Sequence, residues 1–339
     1  MLRYKGNGLH AAARYATVFK EGLILPVNQS PHRALPARFR RARVLIVGCG
    51  DVGQRMAQLM QHPAGVSHSR GPRVLALTSS PDKAQSLRKR GILPVVGNLD
   101  DVRSLRRLRG IANYVVHMAP PAAQGSADVR TAHLVQVLRQ GRLPRSMVYG
   151  STTGVYGDCG GAWVDETKEV NPSTDRARRR VDAEQRLLSF GKDSGLRLQI
   201  LRIPGIYAPN REGGAPRNRL LKGLPVLQPA DDVFTNHIHA DDLAQMALMA
   251  LWRGKPQRIY HASDNTQLRM GDYFDLAADM YGLPRPPRVS REVAQQTLPA
   301  MMLSFMSESR RLHNERIQQE LRVQLRYPTV QEGLRESAD

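Results

Sequence analysis

The residues with the clearest chemical meaning form a glycine-rich hexapeptide, GCGDVG, at residues 48–53. The spacing G-x-G-x-x-G lets the N-terminus of a helix bind the pyrophosphate of a dinucleotide through its free N–H groups. In such a loop the first glycine permits a tight turn, the second lets the backbone approach the phosphates, and the third lets helix and strand pack closely. The predicted cofactor-binding residues of the loop are Gly48, Gly50, Asp51, Val52 and Gly53.

The end of the next predicted strand bears on the choice between NADP and NAD. In NAD-binding proteins an acid about 20 residues beyond the glycines binds the ribose hydroxyls. Here the strand ends at Thr78, Ser79 and Ser80, which are predicted cofactor-binding residues, and the first acid after them is Asp82. The missing acid, the three hydroxyls and Arg55 favour NADP. NAD remains the alternative because Asp82 could turn back toward the ribose.

The apolar pattern of the chain predicts the elements that position these residues. The runs with strand character are 43–48, 73–78, 92–97, 114–118, 146–149, 197–202 and 258–261, and the helix-like stretches include 51–60, 81–90 and 127–139. Parallel strands need crossover helices, so this alternation predicts an α/β protein with a doubly wound parallel sheet, the Rossmann fold. Ligands in such sheets bind at the carboxyl ends of the strands, where the glycine loop lies.

Further short motifs follow the glycine loop in a fixed order. They are GNL at 97–99, HMAPP at 117–121, YGSTTGVYG at 149–157, RIPGIYAP at 202–209, HIHADDLA at 237–244, and YP at 327–328 with EGL at 332–334. Together these motifs resemble those of the extended short-chain dehydrogenase/reductases of the NAD-dependent epimerase/dehydratase family. The resemblance covers about residues 43–335.

The resemblance implies cofactor contacts at three places beyond the glycine loop. They are Asn98 and Leu99 near the adenine, Ala119 and Pro120 along the cofactor, and Pro204 and Ile206 beside the nicotinamide. Asn98 departs from the acid that the family has at this position, but its amide still offers hydrogen bonds.

The catalytic pair of the family is missing from this chain. Members carry a Tyr-x-x-x-Lys pair on the helix after the fifth strand, in which the tyrosine transfers a proton and the lysine binds the ribose. The corresponding positions hold Arg176 and Arg180. A guanidinium with a pKa above about 12 cannot exchange protons near neutrality. Arg180 could still hold the nicotinamide ribose or a phosphate in place of the lysine.

Two hydroxyl-bearing residues remain as catalytic candidates. Thr152 matches the family's hydroxyl position and could hydrogen-bond a substrate carbonyl or alcohol. Tyr156 is the nearest remaining tyrosine that could donate a proton. The alternative for Tyr156 is a packed aromatic side chain in a turn.

Other polar residues favour structural roles. His237 and His239 alternate along a strand-like segment, so they point to opposite faces and do not predict a shared metal site. Asp241 and Asp242 precede a helix and are interpreted as its N-terminal cap.

The chain has two cysteines, which excludes a disulfide scaffold and favours a reducing cytoplasm.

The charge of the chain is uneven. The 339 residues carry 50 Lys and Arg against 30 Asp and Glu, a formal net charge of +20. Residues 1–43 hold nine basic side chains and one acid, which gives +8. We interpret residues 1–42 as a basic, poorly ordered extension: a nucleic-acid-binding arm, an organellar-type presequence, or the product of an upstream start codon. No apolar run is long enough to span a membrane.

These observations predict the organisation and the function together. Residues 43–207 are expected to form an NAD(P)-binding domain and residues 208–335 mainly a substrate domain, with a return to the sheet around 237–262. The first functional hypothesis is an NAD(P)-dependent oxidoreductase or epimerase acting on a small hydroxyl- or carbonyl-bearing substrate. An anionic substrate would suit Arg211, Arg217 and Arg219.

Two alternatives stay open. One is a catalytically silent NAD(P)-binding regulator or redox sensor, and the other, favoured only by net charge, is a nucleic-acid-associated protein. We expect no metal and no membrane partner, and a monomer or homodimer.

Overall fold

The computed structural model describes residues 41–61, 71–211 and 214–335. Residues 1–40 of the predicted basic extension lie outside the described residues. The described residues from 42 to 335 belong to one compact unit, to which the following description applies.

Seven parallel strands form the central sheet. The strands of the unit are β1 (Arg43–Val47), β2 (Arg73–Thr78), β3 (Leu93–Val96), β4 (Tyr114–His117), β5 (Ser146–Thr152), β6 (Trp163–Val164), β7 (Arg197–Ile203), β8 (Gly205–Tyr207), β9 (Val226–Leu227), β10 (Phe234–Thr235), β11 (His237–His239), β12 (Arg258–His261), β13 (Leu268–Arg269), β14 (Arg288–Val289) and β15 (Arg311–Leu312). The sheet order is β12-β7-β5-β4-β1-β2-β3. Because the order reverses between β1 and β4, the crevice at their carboxyl ends is the expected ligand site.

Helices connect these strands. They are α1 (Asp51–Gln61), α2 (Pro81–Lys89), α3 (Val129–Leu138), α4 (Asp175–Ser194), α5 (Arg217–Leu221), α6 (Ala240–Arg253), α7 (Met270–Tyr281), α8 (Arg291–Thr297), α9 (Ala300–Phe305), α10 (Glu315–Leu321) and α11 (Val330–Arg335), with 3₁₀ helices at Val102–Leu108 and Thr153–Tyr156. The predicted α/β class and doubly wound parallel sheet are confirmed.

The sheet is buried on both faces. Val44 and Ile46 of β1 belong to a core that includes α1 and α6. Leu45 and Val47 belong to the core on the other face, which includes α3 and α4. Since successive side chains of a strand point to opposite faces, a strand covered on both sides must be apolar throughout, as β1 is.

A third apolar cluster forms outside the central sheet. It joins β8, β9 and helices α5, α7 and α11, from Tyr207 to Leu334. Between the members of this cluster the chain returns to the sheet at β12, which pairs with β7, whereas β11 pairs with β8. The division into two domains at residue 207 stays a prediction. In the described part of the chain, no helix is long and apolar enough to cross a membrane.

Candidate functional site

A cavity of about 530 Å³ opens at the carboxyl ends of β1, β2 and β4. It brings together eight of the predicted cofactor-binding residues, namely Gly48, Gly50, Thr78, Ser79, Asn98, Leu99, Ala119 and Pro120. The other predicted residues, Asp51, Val52, Gly53, Ser80, Arg180, Pro204 and Ile206, do not line it. The cavity at the topological switch point therefore contains eight of the fifteen predicted residues, and their contact with a cofactor stays a prediction.

The glycines of the loop differ in their surroundings. Gly48 has a φ of +88°, and a Cβ there would lie 2.3 Å from the backbone nitrogen of Ala119. A side chain at Gly53 would crowd Ile46 of β1 at 3.1 Å. Apart from Gly50 itself, its chain neighbours and the backbone of α1, no atom of the described residues lies within 4 Å of the Cβ position of Gly50, which faces the cavity. Gly48 and Gly53 are thus required by packing, and Gly50 leaves space for a ligand.

Asp51 and Val52 support the loop without lining the cavity. The Asp51 carboxylate accepts hydrogen bonds from Arg55 Nε at 3.1 Å and from Arg211 Nη1 at 2.8 Å. Val52 is buried in the core beneath α1. Burial raises the pKa of the neighbouring Cys49 thiol to about 11, so this cysteine is a poor nucleophile.

Arg55 was expected to favour NADP over NAD, but its side chain is engaged by other residues of the protein. Its Nη1 donates to Asp241 at 2.5 Å and its Nη2 to Asn210 at 2.5 Å, while its Nε donates to Asp51. With its nitrogens held by these three acceptors, the guanidinium ties α1 to the residues after β8 and to the start of α6. The expectation that Arg55 helps to select NADP is therefore corrected.

Lys83 and Ser86 of α2 lie beside the end of β2, at the place that was predicted to bind the ribose. Both line the cavity with Thr78 and Ser79. Ser80 instead caps α2, because its hydroxyl accepts a hydrogen bond from the backbone nitrogen of Lys83 at 3.4 Å. Lys83 was not predicted from the sequence, although its place in the first turn of the helix after β2 was a usable signal.

The loop after β3 is held by Arg130, a second cavity-lining residue that was not predicted from the sequence. Arg130 on α3 donates to both carboxylate oxygens of Asp100 at 2.7 Å and to the carbonyl of Pro120 at 3.2 Å. Arg130 lines the cavity together with Asn98. The Asn98 side chain itself accepts from the Asp100 backbone nitrogen at 3.0 Å, so it shapes the turn. No sequence spacing links Arg130 to this loop, because the contact is made by the fold.

The two arginines at the family's catalytic positions lie on α4 near the end of β5. Arg180 Nη1 donates to the carbonyl of Gly150 at 2.8 Å and to the Tyr149 hydroxyl at 3.0 Å. Arg176 is exposed and lies over the ring of Phe305, with its guanidinium carbon 5.0 Å from the ring centroid. Burial raises the pKa of Tyr149 to about 12, so its hydroxyl stays protonated.

Thr152 ends β5 and is partly exposed. Its Oγ1 accepts a hydrogen bond from the Gly154 backbone nitrogen at 3.3 Å, which starts a 3₁₀ helix. This bond leaves the hydroxyl proton free to be donated to another group.

Tyr156 lies in the interior, with 1% of its surface exposed. Its hydroxyl accepts from Arg202 Nη1 at 2.7 Å and contacts His261 Nε2 at 2.5 Å. Arg202 in turn pairs with the buried Glu184 at 2.8 Å. Burial raises the pKa of Tyr156 to about 12 and lowers that of His261 to about 3. This geometry favours the packed aromatic over the predicted proton donor.

Pro204 and Ile206 follow β7, at the side of the sheet opposite β2. Ile206 pairs with Ile238 of β11 and packs against the core that includes α1 and α6. Their predicted contact with the nicotinamide stays a prediction.

The histidines of β11 are both buried, and the start of α6 differs from the prediction. His239, and not Asp241 or Asp242, is the N-cap of α6, with Nδ1 accepting from the Asp241 backbone nitrogen at 3.2 Å. The Asp242 carboxylate accepts from the backbone nitrogens of Arg326 and Tyr327, both at 2.9 Å. Among the described residues, no cluster of His, Cys, Asp and Glu could hold a metal ion.

The three arginines proposed to meet an anionic substrate do not form one site. Arg211 pairs with Asp51, and Arg219 is directed into the interior, over the ring of Phe274 at 4.4 Å. Only Arg217 is exposed. The expectation of an anion site formed by these residues is therefore corrected.

The cavity fits a dinucleotide in its chemistry. The first N–H groups of α1 have no intrahelical partner, and the open Cβ position of Gly50 leaves room for phosphates beside them. Lys83 adds a positive charge at the other end, and the apolar side chains of Leu77, Leu87 and Leu99 suit a base.

Comparison with solved structures gives matches that cover 87% to 88% of this chain. A functionally unknown conserved protein from Silicibacter pomeroyi is 28% identical, with a TM-score of 0.69 over 88% of this chain and 98% of that one. UDP-glucose 4-epimerase from Thermotoga maritima, solved with UDP-glucose, is 17% identical, with a TM-score of 0.69 over 87% and 97%. dTDP-glucose 4,6-dehydratase from Bacillus anthracis, in complex with NAD, is 16% identical, with a TM-score of 0.68 over 88% and 95%.

At 16% and 17% identity, the last two likenesses concern the fold alone. No curated protein sequence matches the chain. The model of the NAD dependent epimerase/dehydratase family matches residues 44–262, which is more than half of the sequence. The chain therefore belongs to the NAD dependent epimerase/dehydratase family.

Proposed function

We propose that this protein is an NADP-preferring oxidoreductase or epimerase that acts on a small molecule with a hydroxyl or carbonyl group. The observation that carries the proposal is the cavity at the switch point of the sheet, which joins Gly48 and Gly50 of the glycine loop to six further predicted cofactor-binding residues. Thr152, at the carboxyl end of the adjacent β5, supplies a hydroxyl for the substrate.

The preference for NADP rests on the charge at the end of β2. Lys83 lines the cavity together with the hydroxyl residues Thr78, Ser79 and Ser86, whereas Asp82 does not line it. An ammonium group and hydroxyls suit the 2′-phosphate of NADP, and an acid at this position would suit the free ribose of NAD.

A bound nicotinamide would supply the hydride chemistry, and the chain's own residues would orient the substrate. The Thr152 hydroxyl would donate a hydrogen bond to the carbonyl oxygen and so favour the charge that develops there. Arg176 cannot transfer a proton as a tyrosine does, and the Tyr156 hydroxyl is occupied by Arg202 and His261. The proton therefore has to come from another group or from the substrate itself.

A second candidate function is a catalytically silent NADP-binding protein. It is favoured by the arginine at position 176, where members of the family carry the proton-transferring tyrosine. Both candidates use the same cavity, and they differ in whether hydride is transferred.

The two candidates are separated by one pair of measurements. Calorimetric titration with NADPH tests the cavity, and loss of the reduced-nicotinamide absorbance with a panel of small aldehydes and ketones tests turnover. Binding with turnover supports the enzyme, and binding without turnover for the whole panel supports the silent protein. A protein that binds no nicotinamide nucleotide contradicts both.

A further inference from the structure

Two neighbouring guanidinium groups near the end of β5 carry charge that the protein does not neutralise. Arg180 donates to uncharged acceptors, the Gly150 carbonyl and the Tyr149 hydroxyl. Arg176, one turn earlier on α4, lies over the Phe305 ring. Among residues 41–61, 71–211 and 214–335, neither guanidinium forms an ion pair with a carboxylate. Partial burial of the otherwise exposed Arg176 side chain and the nearby Arg180 lower the pKa of Arg176, and the nearby Glu308 acts in the opposite direction.

The acid near this pair is already engaged elsewhere. Glu308 accepts from both terminal nitrogens of Arg310, at 3.0 and 2.9 Å, and from the Ser173 hydroxyl at 2.6 Å. The charges of Glu308 and Arg310 therefore offset each other. The positive charge of Arg176 and Arg180 remains.

This charge lies beside the predicted substrate hydroxyl. A methyl group placed on Gly154 would lie 3.6 Å from Thr152 Oγ1 and 3.9 Å from Glu308 Oε2. Thr152 and the segment that follows α9 therefore meet at Gly154. Phe305 is the last residue of α9, three residues before Glu308; it is 48% exposed and forms an apolar surface under Arg176.

We infer that Arg176, Arg180 and Phe305 form a binding site for a small organic anion with an apolar body. Arg176 binds the carboxylate, Arg180 adds charge behind it, and the apolar part lies on Phe305. This inference rests on the proposed function, because it identifies the bound molecule as the substrate whose reacting oxygen meets Thr152. The two arginines at the family's catalytic positions would thus bind the substrate.

The test uses benzoate as an anionic probe and benzyl alcohol as its uncharged analogue, titrated calorimetrically with and without NADPH. We expect saturable binding of benzoate, and binding of benzyl alcohol weaker by about tenfold or more, the cost of one lost charge-assisted contact. Arg176→Gln should weaken benzoate binding by about tenfold. Arg178→Gln is the matched control, since Arg178 is exposed on the same helix as Arg176 but is paired with Asp175 at 2.7 Å.

Phe305→Ala, at an exposed position, gives a second variant that should weaken benzoate binding without unfolding the protein. The inference is overturned if wild type shows no saturable benzoate binding, or if Arg178→Gln loses as much affinity as Arg176→Gln. If NADPH does not bind but benzoate does, with the expected loss in Arg176→Gln, the proposed function fails and the anion site stands.

Discussion

The hydroxyl of Tyr156 lies in a buried chain of polar contacts that begins at Glu184, passes through Arg202 and continues to His261. A phenol held in this way stabilises the fold, and removing it leaves the Arg202 guanidinium short of an acceptor. We expect Tyr156→Phe to lower the free energy of unfolding by about 1–3 kcal/mol, the typical cost of a buried unsatisfied group. Urea unfolding measures the loss. Turnover close to that of wild type should accompany it, and abolished turnover in a folded variant would restore the predicted catalytic role.

For Thr152 we expect the opposite result, a loss of turnover with little loss of stability, because this residue is partly exposed at the end of β5. Thr152→Val removes the donor and keeps the shape, so NADPH affinity should hold while turnover falls by about 100-fold, as for loss of an oxyanion-type donor. Steady-state rates with a carbonyl compound that wild type reduces measure this effect. Thr152→Ser, which keeps the hydroxyl, is the control and should retain most of the rate. Unchanged turnover in the valine variant would remove Thr152 from the mechanism.

At the scale of elements, the glycine loop joins β1 to α1. Its glycines are required for two different reasons: Gly50 leaves space for a ligand, and Gly48 is required by the fold. Gly50→Ala places a methyl group in open space at the cavity, so the fold should tolerate it while NADPH affinity falls by about tenfold or more. Gly48→Ala should destabilise the protein instead, because φ is +88° and Ala119 leaves no room. Thermal unfolding and calorimetric titration distinguish the two outcomes. Equal NADPH affinity in Gly50→Ala and wild type would place the phosphates elsewhere.

The strands of the central sheet were predictable because each is a short apolar run, and burial on both faces demands such a run. The glycine loop was predictable because its spacing is local. Contacts between distant segments were not: Arg130 reaches Asp100 across 30 residues, and Tyr156 meets His261 across 105. The contacts of Arg55 were not predictable for the same reason, because its acceptors Asn210 and Asp241 lie far from it in the sequence.

Across the whole molecule, buried histidines should make stability depend on pH. Burial lowers the pKa of His117, His237 and His261 to about 3, against about 6.5 in an unfolded chain. They are neutral in the fold and take up protons only on unfolding, so their contribution is complete above about pH 6.5 and is lost as pH falls toward 3.

The free energy of unfolding should therefore fall between about pH 6.5 and pH 5, with each histidine contributing up to about 1.4 kcal/mol per pH unit. Urea unfolding at several pH values measures the slope. His237→Phe, which replaces an imidazole stacked on Tyr273 at 4.2 Å, should reduce it. An unchanged slope in this variant would mean that His237 is not held neutral in the fold.

The proposed function requires a dinucleotide to bind in the cavity between the glycine loop and Lys83. Calorimetric titration of the wild-type protein with NADPH and NADH tests this claim most directly, with Lys83→Ala and, on the same helix but outside the cavity lining, Lys89→Ala. We expect NADPH to bind about tenfold more tightly than NADH, a difference of about 1.4 kcal/mol that Lys83→Ala removes and Lys89→Ala keeps. Tighter binding of NADH would contradict the preference for NADP, and no binding of either nucleotide would contradict the account as a whole.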